Sequence, residues 1–130
     1  MSKEINWQTR DQVAKAAEHS KKAAWECAIV HWQQMEKATI KQLLEAHPEK
    51  VAIIPPTCAL CQRYPDCKGC PINCSPEAGR AFRALSRLAE GKTQVRVIEW
   101  KKAVRAMLAK LVRGYVKTYP KTYDKELVAK

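Results

Sequence analysis

A chain of 130 residues, 46% hydrophobic and 28% charged, has the make-up of an ordinary globular domain with enough length to bury a modest core. No uninterrupted apolar run approaches the ~18 residues of a membrane span, so the sequence reads as a soluble protein with no membrane partner. The net charge of +11 is lopsided: residues 1–50 hold eight Lys and Arg against seven Asp and Glu, whereas residues 51–130 hold sixteen against six. Such a field suits phosphates or an acidic protein surface, the plainer reading being that Lys and Arg solvate helix surfaces.

Residues 6–46 are rich in Ala, Gln, Glu and Lys and free of proline and glycine, which predicts helix until Pro48 ends it. An unbroken helix of that length would run roughly 60 Å, too long for a compact domain of this size. The apolar seam also rotates. Val13, Ala16, Ala17, Ala23, Ala24 and Cys27 track one face, while Trp25, Ile29, Trp32, Ile40 and Leu43 define another. A bend or break is therefore expected between Ser20 and Ala24, with Asn6 or Thr9 as first cap and Ser20 as second. Trp25 and Trp32, seven residues apart, share a face and serve either as core packing against the C-terminal helices or as a protein-binding ridge. Cys27 and His31 are spaced to share a metal on a helix, although a small buried Cys beside a His explains them as well.

V-A-I-I-P-P, from Val51 to Pro56, is a short extended segment leading into the richest stretch of the chain, T-C-A-L-C-Q-R-Y-P-D-C-K-G-C-P-I-N-C-S. Prolines and a glycine make this a loop. Cys58, Cys61, Cys67 and Cys70 form two C-x2-C pairs whose sulfurs can close a tetrahedral zinc site; Cys74 is a fifth thiol that replaces a member or stands beside the site. An iron–sulfur cluster is the runner-up, though ferredoxin runs order their cysteines differently. Disulfides would need an oxidising compartment, and M-S-K-E-I-N-W lacks the apolar core of a secretory signal, so a cytoplasm is expected.

The run C-A-L-C-Q-R-Y-x-x-C-K-G-C-P-I, its fifth cysteine and the following helix with Trp100 and Met107 resemble a group of small phage-encoded proteins of unknown function, over residues 57–112. The family's usual S-P-Y tripeptide stands here as Ser75-Pro76-Glu77, without the aromatic. The resemblance implies a phage origin, a bacterial host cytoplasm and an accessory role. It implies no reaction.

Ser75, Pro76 and Glu77 read as a helix start and Gly91 as its stop, with Ala81, Phe82, Leu85, Leu88 and Ala89 on the buried face. Arg80, Arg83 and Arg87 line another face, where they repel one another unless an anion lies across them. A last helix runs from after Thr93 to about Tyr115, buried through Val97, Trp100, Val104, Met107, Leu108, Leu111 and Tyr115, with Lys101, Arg105, Arg113 and Lys117 opposite, interrupted by Ala109, and Lys102 and Lys110 in addition. Y-V-K-T-Y-P-K-T-Y, Tyr115 to Tyr123, suits either stacking on bases or packing over a bundle end, and Asp124 to Lys130 reads as a frayed turn.

The expected architecture is a single mainly α domain over residues 1–130: a long or kinked N-terminal helix, a metal-binding loop over 57–75, a basic helical hairpin over 76–117 and a tail. No glycine-rich phosphate loop, nucleophile with a placed base or tuned carboxylate pair is present, so the chain reads as non-catalytic. Arg63 and Lys68 on the loop join the basic helical residues as contacts for nucleic acid or a nucleoprotein. The competing expectation is an inhibitor of a host or bacterial-defence protein, held through Trp25 and Trp32 or the basic face. The Ala and aromatic surface of the N-terminal helix would also allow a homodimer.

Overall fold

The computed structural model describes residues 7–39, 41–42 and 94–129. The cysteine loop, the Val51–Pro56 segment and the helix expected after Ser75 lie outside the described residues, as do Ile40 and Leu43 and the side chain of Val97. Among the described residues, helices with defined bounds are α1, Arg10–His19; α2, Lys21–Lys37; α3, Gln94–Thr118; and α4, Lys125–Ala129. No strand occurs among the described residues.

Thr9 opens α1 with a complete capping box. Its hydroxyl accepts from Gln12 N at 3.1 Å, and its own N–H donates to Gln12 Oε1 at 2.9 Å. The break expected near Ser20 is present at that residue. Ser20 is fully extended (φ −168°, ψ 162°), ends α1, and accepts from Ala23 N at 2.9 Å to start α2. One residue thus divides the two seams, and each helix can turn its own apolar face inward.

The N-terminal helix does not continue to residue 46. It stops at Ala38 (φ −67°, ψ 144°), and Thr39 and Gln42 form a second capping box at 2.8 and 3.2 Å. The same T-x-x-Q pattern is written at Thr9 and at Thr39. At Thr39 local capping overrides the general helix propensity of the stretch.

α2 is the central helix. It packs against both α1 and α3; Trp25 meets α3, Ala24, Ala28, Ile29 and Trp32 are buried, and Gln33 reaches α4, where its Nε2 donates to Leu127 O at 2.7 Å. α3 runs antiparallel to α2, since Trp25 and Glu26 meet Leu111 and Tyr115 while Glu36 meets Lys101 and Arg105. The α3 stripe is as expected: Trp100, Val104, Met107, Leu111 and Tyr115 are all buried, with Ala103 added and Leu108 half-buried.

The tail is not frayed. Asp124 Oδ1 accepts from Glu126 N and Leu127 N, capping α4, and Leu127 is buried against the core. The tyrosines pack over the end of the bundle. The Tyr115 ring lies 5.8 Å from Tyr119 and 6.3 Å from Tyr123, and Tyr119 meets Trp25 edge-on at 6.4 Å.

Candidate nucleic-acid interface

Trp25 and Trp32 are core residues, 3% and 1% exposed, so a ridge offered to a partner is not available at these positions. The reason is geometric. Trp25 Nε1 donates to Leu111 O at 3.0 Å, and its ring packs against Gly114, where an added methyl would stand 2.7 Å from Trp25 Cζ2. Glycine there is a socket for the indole, an explanation that helix propensity alone does not suggest.

Around the same end, Tyr115 donates a short hydrogen bond to Glu26 and accepts from Asp124 N at 2.8 Å. Burial, reinforced by the Glu26 carboxylate, pushes the Tyr115 hydroxyl up to about 12, so it stays a donor at any ordinary pH. Lys22 lies 3.8 Å from Glu26 on the adjoining turn.

Cys27 and His31 are both buried. Burial raises the Cys27 thiol, with the Gln8 side chain partly opposing, and lowers His31 to about 4, which keeps the imidazole neutral. His31 Nε2 and Gln8 Oε1 have no hydrogen-bond partner. Among the described residues no three His, Cys, Asp or Glu side chains converge to hold a metal.

The basic residues of α3 divide into two groups. Lys101 is half-buried and turned aside: its Nζ donates to Glu36 O at 2.9 Å, satisfying a carbonyl in the last turn of α2, where a cation also complements the helix dipole. Arg105 Nε approaches Glu36 Oε1 at 3.5 Å but remains largely exposed, so this contact is a weak surface pair of about 0–1 kcal/mol. Lys102, Arg113 and Lys117 are exposed with no acidic partner among the described residues. Sequence reasoning named Arg105, Arg113 and Lys117 on this face, included Lys101 which serves the fold, and gave Lys102 a lesser place than its exposure warrants. Arg63, Lys68, Arg80, Arg83, Arg87 and the cysteines Cys58, Cys61, Cys67, Cys70 and Cys74 lie outside the described residues. No family model matches the sequence, and no curated protein or solved structure does either. No described helix is long and apolar enough to cross a membrane.

Proposed function

We propose that this chain is a non-catalytic, zinc-stapled basic protein that binds nucleic acid or a nucleoprotein, an accessory factor of the kind the cysteine-run resemblance implies. The observation that supports it best is the outer side of α3, where Lys102, Arg113 and Lys117 stand in solvent without acidic partners among the described residues, in a half of the chain that carries nearly all the positive charge. Unpaired cations on a rigid helix favour phosphates, because each contact releases condensed counterions and little side-chain or backbone order has to be created. The zinc rests on the spacing of Cys58, Cys61, Cys67 and Cys70, with an iron–sulfur cluster as the alternative occupant.

A blocking role toward a host or defence protein would not use Trp25 and Trp32, which are buried; the basic face is the contact then favoured. The experiment is a binding titration of the full chain against DNA and RNA at several salt concentrations. Binding should weaken with a log–log slope of about −0.9 per phosphate neutralised. Arg113→Glu with Lys117→Glu should abolish it while leaving helix content intact. A flat salt response removes the proposal.

A further inference from the structure

The outer side of α3 is not uniformly basic. Lys102, Ala106, Ala109 and Arg113 follow at steps of four, three and four residues, so they form one exposed row along the side opposite the core. Lys117 continues the row and Arg105 flanks its start. The exposed cations therefore come as two pairs, Lys102 with Arg105 and Arg113 with Lys117, with Ala106 and Ala109 between them and the half-buried Lys110 at the edge of that stretch. Lys102 and Arg113 are three turns apart, roughly 16 Å along the axis at ~1.5 Å per residue.

We infer that this row lies across the major groove of double-stranded DNA, each cation pair on one of the two backbones and Ala106 and Ala109 over the groove between them. The inference rests on the nucleic-acid reading above and narrows it. A single strand presents one continuous backbone, which an evenly charged row would match, with no use for a central gap. Two pairs with a gap match two backbones flanking a groove about 12 Å wide, once the reach of the Lys and Arg side chains is added. Small side chains at the centre let the helix approach closely. The major groove of A-form RNA is too deep and narrow to admit the row. A second copy of this chain is disfavoured as occupant by charge, since pairing the rows in either direction sets Lys102 and Arg113 against cations of their own kind. Ala106 and Ala109 carry no hydrogen-bonding group, so the row grips the backbone and reads little sequence.

The test titrates the full chain with a duplex DNA of roughly 20 base pairs, about two helical turns, with its single strand, and with an RNA duplex of the same length, at several salt concentrations. The Ala106→Gln/Ala109→Gln variant is run beside it, with circular dichroism to confirm that these exposed, helix-compatible changes leave the fold intact. Duplex DNA should bind about tenfold or more tighter than the other two, little affected by its sequence, and the variant should lose about tenfold on duplex DNA alone. Equal or tighter binding of single strand or duplex RNA, or an unaffected variant, with the salt dependence retained, overturns the duplex assignment and leaves the broader reading standing. No salt-dependent binding to any of the three overturns both.

Discussion

At the scale of single residues, two side chains make sharp predictions because local preference and tertiary packing disagree. Alanine is worth up to about 1 kcal/mol more than glycine inside a helix, so Gly114→Ala should stabilise α3 if only the helix mattered. The added methyl would stand 2.7 Å from Trp25 Cζ2, in a core whose neighbours are Leu111 and Tyr119. Overpacking of that kind costs about 1–3 kcal/mol, so the expected net result is destabilisation, read as a lower urea midpoint. Repeating the substitution in a Trp25→Phe background should shrink the loss, because a smaller ring frees the socket. His31 makes the second prediction. Its folded value of about 4 lies below the 6.5 of an unperturbed imidazole, so as pH falls the unfolded chain takes up the proton first. The stability due to its neutral burial is fully present above about pH 6.5 and is lost progressively toward pH 4, by about 3 kcal/mol in all. His31→Leu should flatten that part of the pH–stability curve; an unaltered slope would show that other groups dominate it.

Elements were legible from sequence where their signals are local and obscure where they are not. The break at Ser20 was readable because the apolar seam rotates there and a capping residue stands at the rotation. The stop at Ala38 was equally available in Thr39 and Gln42, but proline-free, alanine-rich flanks hid it behind an unbroken helical composition. The docking of α4 had no local signal. It depends on Gln33 reaching Leu127 O and on Tyr115 joining Glu26 to Asp124 N, pairs whose members come together only when α2 and α3 pack. The basic row was only half legible for the same reason: periodicity placed Lys101 beside Arg105, and only packing against Glu36 separates their roles. The docked tail implies a measurable stability. Truncation after Tyr123 removes the Leu127 side chain from the core and leaves the buried Gln33 amide without its acceptor, together about 2–4 kcal/mol. Thermal unfolding of the truncated chain should shift down accordingly, and an unshifted transition would mean that α4 adds nothing to the core.

For the whole molecule, the proposed zinc and the helical core have to be weighed against each other. Trp25, Trp32, Trp100 and Tyr115 are buried on α2 and α3 and belong to one apolar cluster, which gives these helices a packed interior without a metal ligand of its own. A structural metal, in contrast, contributes its binding free energy to whatever segment its thiolates close. Removing it should therefore act unequally. Cys61→Ser, or a chelator on the unmodified chain, should lower the unfolding temperature and release one zinc per chain, while tryptophan emission at room temperature stays that of buried indoles. Loss of the indole signal together with the metal would instead make the cysteine loop and the helices a single cooperative unit. A metal-loaded protein with visible absorption would transfer the site to an iron–sulfur cluster, and a preparation with no metal and freely titrating thiols would remove the staple from the proposal. The cations of α3 provide the final discriminator, because they belong to the helical core and not to the loop. If α3 holds the principal contacts, the metal-free chain should keep a salt-dependent affinity for nucleic acid, reduced by the share that Arg63 and Lys68 contribute. Complete loss of binding with an intact indole signal would move the principal contacts to the cysteine loop.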